Sequence, residues 1–585
     1  MTAFNPHEGL TLNPVQTEAL PWVEKEDNLV VASPTGSGKT LIAEKAMVHH
    51  LCRGHRVIYI SPMKALAEEK ISSWRQWPWG LSIITSDYQK ASPSDITVIT
   101  PEALDSKSRS KLNYFPGTGL VVVDEAHLLA APSRGDALEM ALMRITLRES
   151  PRLIALSATL SNVEDLTQWF SFLNRRGTRM VKSEWRPIEL EKRYLRMPNK
   201  EGAFDFRAID FIHKTLIDAP EGSQVLIFVH TISKGMKYSQ KLHIPFHNAR
   251  LPKEERREIE EGFRSGEIEA IISTSTLALG VNLPADIGII VGAHRGITPV
   301  DPLDILQMMG RIGRYGLSTK GDVFFLIKDY MFDTYEDLGL PPIRSVLPKR
   351  LHFHIVSLLA REDKDPRAFL NRSFAKIPPE AIDEALETLI KIGALKESLQ
   401  PLPLGKGAAL FYCDPLDLAA LKENLKNLPK QPKDVAKALA SVPSLEQNIY
   451  VPKDLPFNLP WTAQSAYASA IFGWLTGQKT PSSLRIFLSS YRKDFKRWAN
   501  ALSLAGLRHS YCEGLSIAME HGLPLDVVDL AKIPGVGRVK AMRLFAAGYK
   551  TLEDVKEDLE GASKIGGKSV MALRPKGKKF KVPWD

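Results

Sequence analysis

Between residues 28 and 330, short runs of β-branched and aliphatic residues alternate with longer stretches whose apolar positions recur every three or four residues. The runs are Asn28-Leu-Val-Val-Ala, Arg56-Val-Ile-Tyr-Ile, Thr97-Val-Ile-Thr, Gly119-Leu-Val-Val-Val and Leu153-Ile-Ala-Leu. A second set comprises Val225-Leu-Ile-Phe-Val, Glu269-Ala-Ile-Ile-Ser, Ile287-Gly-Ile-Ile-Val and Asp322-Val-Phe-Phe-Leu-Ile. Runs that are apolar at successive positions read as strands buried on both faces, and alternation with amphipathic helices builds parallel sheets. Trp185-Arg-Pro187 falls about midway between the two sets, so the pattern predicts two α/β domains in tandem.

Past Pro341-Pro342 the texture changes. Residues 351–361 and 379–392 read as helices, followed by Gly393-Ala-Leu-Lys and Pro403-Leu-Gly-Lys-Gly, which suggests a winged helix. Residues 416–510 are mostly helical with proline breaks, and the remainder is helical with glycine punctuation. Wound at 100° per residue, residues 484–502 put Leu484, Phe487, Leu488, Tyr491, Phe495, Trp498 and Leu502 on one face. Arg485, Arg492 and Lys496 fall on another, where Arg485 and Arg492 could meet phosphates.

The chain has 585 residues, 44% hydrophobic and 25% charged, which excludes a disordered or low-complexity chain. No apolar run approaches the ~20 residues of a membrane span, and the first residues lack the features of a secretory leader. A cytoplasmic place is expected, nucleoid-associated in a prokaryote. Cys52, Cys413 and Cys512 lie far apart in no metal-ligand spacing. The net charge of +10 is concentrated: residues 561–583 carry seven Lys or Arg and no acid, and residues 485–497 carry five against Asp494 alone. Such clustering fits a polyanionic partner.

The first strand runs into Ser33-Pro-Thr35-Gly36-Ser37-Gly38-Lys39-Thr40 and then a helical stretch. Glycines let backbone N–H groups wrap a triphosphate at a helix N-terminus; Lys39 meets the β and γ phosphates, and Thr40 is spaced to hold Mg²⁺. The strand at 120–123 ends in Asp124-Glu125-Ala-His127. Asp124 can hold Mg²⁺ through water, and Glu125 can take a proton from the attacking water. ATP and Mg²⁺ are therefore the expected cofactors. His127 reads as a relay between sites or, nearly as well, as a core or hydrogen-bonded histidine. Near the C-terminus, Ile533-Pro-Gly535-Val-Gly537-Arg538 opens an amphipathic helix, and its glycine turn suits a phosphate backbone.

In this order the motifs resemble those of superfamily 2 helicases. The resemblance places Gln16, in Leu12-Asn-Pro-Val-Gln16, at the adenine edge. Ser61-Pro62-Met-Lys64 and Thr100-Pro-Glu102 look like strand-binding motifs, and Ser157-Ala-Thr159 like the motif coupling hydrolysis to strand grip. Ser273-Thr274-Ser-Thr276-Leu-Ala-Leu-Gly280-Val-Asn282 resembles the fifth motif, with Thr274 and Thr276 on the strand. Gln307-Met-Met-Gly310-Arg311-Ile-Gly-Arg314 resembles the arginine-finger motif, in which Gln307, Arg311 and Arg314 engage the γ-phosphate. Arg311 and Arg314, three apart, are expected on one side of a helix.

The Asp-Glu-Ala-His box, Arg134-Gly135 after it and Trp185-Arg-Pro187 look Ski-like, nearest to the archaeal fork-repair DNA helicases related to the polymerase-theta helicase domain. The resemblance makes Arg134 a further strand contact, and Gly535, Gly537 and Arg538 a helix–hairpin–helix grip. It implies RecA-like motor domains at 1–190 and 191–340, a winged helix at 341–415, a helical ratchet bundle at 416–510 and a helix–hairpin–helix domain at 511–585. The implied enzyme is a monomeric ATPase tracking single-stranded DNA 3′ to 5′ and opening forked DNA in repair or replication restart, with no membrane partner. Two other readings stay open: an RNA helicase with the same motor, and an ATP-driven clamp or remodeller that never parts the strands. His247-Asn-Ala-Arg250 departs from the family's His-His-Ala-Gly. Only 21 residues separate Ala285 from Gln307, short for the family's strand-separating hairpin.

Overall fold

The computed structural model describes residues 6–573 except 8, 86–91, 110–112, 133, 275–282, 293, 296–297, 314–319, 337–341, 363, 446–462 and 479–483. Among the described residues no helix is long and apolar enough to cross a membrane. By internal contacts the chain forms two compact units, residues 1–348 with 372–376, and residues 349–371 with 377–585.

The first unit holds two parallel sheets. Strands β1 (Asn28–Ala32), β2 (Arg56–Ile60), β3 (Leu81–Ile84), β4 (Ile96–Ile99), β5 (Thr118–Val123), β6 (Arg152–Ser157) and β7 (Thr178–Lys182) lie in the order β3-β4-β2-β5-β6-β1-β7. The second sheet combines β8 (Glu189–Met197), β9 (Val225–Val229), β10 (Phe246–His247), β11 (Ala270–Ser273), β12 (Ile287–Val291) and β15 (Lys320–Lys328) in the order β10-β11-β9-β12-β15-β8. Central strands β1 and β9 are buried at every position, which is why their sequences carry no polar alternation. β7 and β8 are edge strands with charged, partly exposed residues, so no apolar run announces them. In the first sheet Leu29, Val31, Val57 and Tyr59 belong to one packed core. The second sheet is packed on both faces: Leu226, Ile290 and Val323 fill one, and Ile227, Ile289 and Leu326 the other.

Between β12 and β15 a short antiparallel hairpin pairs β13 (His294–Arg295) with β14 (Thr298–Pro299). The interval that looks too short for a hairpin thus contains one, because strands of two residues suffice. Residues 372–376 fasten onto the first sheet's helices: Trp169 Nε1 donates to the Arg372 carbonyl (2.8 Å), Arg372 Nη2 to the Leu173 carbonyl (2.6 Å), and the Ala375 N–H to Glu139 Oε1 (3.1 Å).

The second unit is helical. Helices Leu351–Ser357, Pro379–Lys391 and Pro403–Phe411 are joined near one antiparallel bridge, Leu395 to Pro401. Several helices of the chain begin with proline in the first turn, where a missing N–H costs nothing. The helix Arg485–Leu504 buries Leu488, Phe495 and Leu502 as its periodicity predicts, and leaves Trp498 half-buried. The final helices enclose a small core of Leu523, Leu530, Ile533, Leu544 and Val555.

Candidate active site

The loop from β1 enters the helix Lys39–Leu51 through Gly36 (φ +86°) and Gly38 (φ +76°), conformations that favour glycine. A capping box joins Asn13 and Gln16 at the start of the helix Pro14–Ala19. Both side chains then reach the loop: Asn13 Nδ2 donates to the Ser37 carbonyl (3.0 Å) and Gln16 Nε2 to the Gly38 carbonyl (3.1 Å). Gln16 therefore braces the phosphate loop from the side assigned to the base. Lys39 is buried, and its amine donates to the carbonyls of Ser33 (2.7 Å) and Pro34 (2.9 Å). Burial lowers its pKa, opposed by Glu125 and Asp124. Phosphate oxygens can replace those two carbonyls as acceptors.

β5 delivers the carboxylates. Asp124 accepts from the Tyr59 hydroxyl (2.7 Å), and burial followed by Glu125 raises its pKa. Glu125 sits at φ +52°, the left-handed region that costs a non-glycine residue of the order of 1–3 kcal/mol. That turn aims its carboxylate at His127, whose Nδ1 lies 3.3 Å from Glu125 Oε2. His127 is buried and burial lowers its pKa, so the ring is neutral. Gln307 Nε2 from the second sheet's side lies 2.9 Å from His127 Nε2. With the amide donating, the ring accepts at Nε2 and carries its proton at Nδ1, toward Glu125. His127 thus lies buried between Glu125 and Gln307, hydrogen-bonded to Gln307.

The second sheet's side meets the phosphate loop at Gly310. A Cβ there would lie 2.5 Å from the Thr35 Cβ, so only glycine permits this approach. Gly310 also ends the helix Pro302–Met309, which corrects the expectation of a helix carrying both arginines: Arg311 lies on the turn beyond it. Arg311 has its pKa lowered by burial, while Glu125 and Glu69 act in the opposite direction. Arg314 lies outside the described residues. Ser157 ends β6 and its carbonyl accepts from the Ser33 N–H (3.1 Å), joining the Ser157-Ala-Thr159 motif to the phosphate loop; Thr159 is buried beside it.

Residues 13–166 match the DEAD/DEAH box helicase family, and residues 207–316 match the helicase conserved C-terminal domain. The ATP-dependent DNA helicase Hel308 of Methanocella arvoryzae is 28% identical over 90% of this chain and 87% of its own. That of Pyrococcus horikoshii is 26% identical over 98% and 95%, and that of Thermoplasma acidophilum 29% over 92% and 91%. The chain is a superfamily 2 helicase related to archaeal Hel308.

Elsewhere on the helicase, Arg134 Nη1 donates to the Pro62 carbonyl (2.6 Å) and Nε pairs with Glu102 (3.2 Å). This draws together Pro62, Lys64 at the start of the helix Lys64–Ser73, and Thr100 at the N-cap of Pro101–Ser108. Next to it, a side chain at Gly135 would strike the Leu129 carbonyl. Thr274 follows β11, whereas Thr276 and the side chain of Arg485 lie outside the described residues. In the second unit the Arg492 guanidinium stacks over Trp474 (4.7 Å), and Arg538 Nη1 donates to the Trp474 carbonyl (2.9 Å). Both arginines therefore converge on a tryptophan that no sequence motif marks. Gly535 has φ +79°, and its carbonyl accepts from Ser569 Oγ (3.0 Å), while Gly537 caps the helix Arg538–Ala546.

Three more residues of the candidate ATP site were not assigned a role from sequence. Asn13 was findable from the Asn-x-x-Gln capping box. Tyr59, on β2, and Lys70, whose amine donates to Thr40 Oγ1 (3.3 Å), carry no signal of their own; only the sheet order brings them to the motif residues.

Proposed function

We propose that this ATP-dependent DNA helicase moves 3′ to 5′ along one strand and opens forked DNA. The observation that supports the ATP-driven part of this reading is the Gln307–His127 hydrogen bond, with His127 Nδ1 3.3 Å from Glu125 Oε2, which connects the candidate general base on one sheet to the candidate γ-phosphate residues beside the other; polarity and the forked substrate rest on the family resemblance. Lys39 and the loop from Thr35 to Thr40 bind the phosphates. Glu125 accepts a proton from the attacking water, and His127 and Gln307 fix its orientation. Arg311, joined by Arg314, stabilises charge on the departing phosphate.

Thr40 and Asp124 would hold a Mg²⁺: one hydroxyl and one carboxylate suit that cation, and the crowding of Asp124 by Glu125 would favour a cation there. When bound, that ion neutralises phosphate charge. Loss of the γ-phosphate removes the link between the sheets, and the grips on Pro62, Lys64, Thr100 and Arg134, and on Thr274 and Thr276, alternate along the strand. The β13–β14 hairpin supplies a wedge and favours strand separation over the clamp reading. The Leu395–Pro401 bridge supports a winged helix, and Arg485, Arg492, Gly535, Gly537 and Arg538 are assigned to further backbone phosphates. Such contacts bind with steep salt dependence.

Unwinding of DNA and RNA duplexes bearing 3′ or 5′ single-stranded tails tests the proposal. Opening of 3′-tailed DNA with ATP is expected. Preference for a 5′ tail contradicts the polarity, opening of RNA alone contradicts the substrate, and turnover without strand separation restores the clamp.

A further inference from the structure

Trp185-Arg186-Pro187 lies in the strap between β7, which ends the first sheet at Lys182, and β8, which begins the second at Glu189. Nothing in the reaction above uses it. Arg186 turns into the cleft, where Nη2 donates to the Met309 carbonyl (3.0 Å) and Nε is buried without a hydrogen-bond partner. Its side chain lines two cavities flanking the phosphate loop. One, about 460 Å³, includes Pro34, Thr35 and Thr159; the other, about 420 Å³, includes Thr35, Gly36 and Gly310.

The charge there is uncompensated. Burial pushes the Arg186 pKa down to about 10. Glu184 and Glu189 stand exposed at the rim of the larger cavity, and neither offsets that effect. Arg186 in turn disfavours the charged form of Lys39, which Glu125 and Asp124 favour. Its position along the loop is also informative. Gln16 and Asn13 hold the Ser37–Gly38 end, whereas Arg186 borders Pro34, Thr35 and Gly36, at the end where the Lys39 amine rests. A lysine in this loop meets β and γ phosphates, so the groups beside it on the second sheet's side face the outermost phosphate.

We infer that Arg186 is a phosphate-sensing residue of the strap: Nη2 stays on the Met309 carbonyl while Nε and Nη1 donate to the terminal phosphate of a bound nucleoside triphosphate. The planar guanidinium has donors enough for both partners. The strap then senses whether the third phosphate is present and, through Met309, one residue before Gly310, links that phosphate to the contact between Gly310 and the phosphate loop. This rests on the ATP-hydrolysing reading of the cleft and adds to it a residue that distinguishes ATP from ADP.

Equilibrium binding of a fluorescent, non-hydrolysable ATP analogue and of fluorescent ADP to the full-length protein tests it, with Arg186→Gln and Arg186→Lys compared with wild type. Arg186→Gln is expected to weaken the ATP analogue about tenfold or more and to leave ADP within about twofold. Arg186→Lys should recover part of the loss, because a point charge replaces a fork. The KM for ATP should rise in parallel. Equal weakening of both nucleotides, or of neither, would mean that Arg186 only ties the strap to Met309, and would overturn the inference. If Arg186→Gln fails to fold by circular dichroism, Arg186→Lys decides: an ATP-selective loss of about threefold supports the inference and an unselective one removes it. A wild type that binds neither nucleotide defeats the ATP reading itself, an outcome distinct from the failure of Arg186 alone.

Discussion

The first sheet offers the nucleotide a finished surface, whereas the second offers groups at a helix end and on a turn. At the first, Lys39, Asp124 and Glu125 follow strands or begin a helix, and each is already held by protein partners. At the second, Gln307 lies in the last turn of its helix and Arg311 follows Gly310 on irregular backbone. On the proposed mechanism, binding and proton transfer belong to one sheet, and the final charge that permits hydrolysis belongs to the other. A motor needs this division, because a site complete on a single sheet could turn over without moving its partner.

The largest effect should come from breaking the first surface. Glu125→Gln, which keeps shape and removes the base, should lower strand-stimulated turnover by about 10²–10⁴ with ATP still bound. Lys39→Ala should abolish nucleotide binding itself. Steady-state hydrolysis and nucleotide titration check both. Turnover near wild type in either variant would place the chemistry elsewhere.

A smaller effect is expected at the bond joining the two surfaces. Gln307→Ala and His127→Ala should each reduce DNA-stimulated turnover about tenfold, equivalent to ~1.4 kcal/mol, and the double variant should be no worse than either. Additive losses would show that the two side chains act independently.

A further effect, on stability and with no loss of turnover at neutral pH, concerns the anchoring of residues 372–376. Glu139 accepts from Ser345 Oγ (2.5 Å) and the Ala375 N–H (3.1 Å), and burial pushes its pKa up to about 7. Burial disfavours the charged form, so the folded protein keeps this proton over a range in which the unfolded chain has lost it. Stability is then fullest below the ordinary carboxylate range and falls as pH rises to about 7, by up to ~3 kcal/mol. Glu139→Gln should flatten that slope in thermal melts; an unchanged slope would contradict the shift.

What the sequence made legible follows the same division. Runs apolar on both faces located the central strands, and glycine spacing located the phosphate loop, since both need particular residues at particular positions. β3, β7 and β8 leave no such trace, because partly exposed strands need no apolar run. The spacing from Gln307 to Arg314 fits a 3.6 period and so reads as one helix. Gly310 and Gly313 (φ +100°) are the contrary sign, and the close approach to Thr35 explains why glycine is required at 310. Tyr59, Lys70 and Trp474 matter through partners distant in sequence, and no local pattern encodes such partners.

Coupling of the two sheets requires Arg311 to act in hydrolysis rather than in binding. The direct measurement is single-turnover hydrolysis of ATP by Arg311→Ala bound to single-stranded DNA, with affinity for a non-hydrolysable analogue measured on the same preparation. A rate reduced about 10³-fold with affinity within a fewfold of wild type is predicted. Hydrolysis at the wild-type rate would contradict it, because the first sheet would then complete the reaction alone.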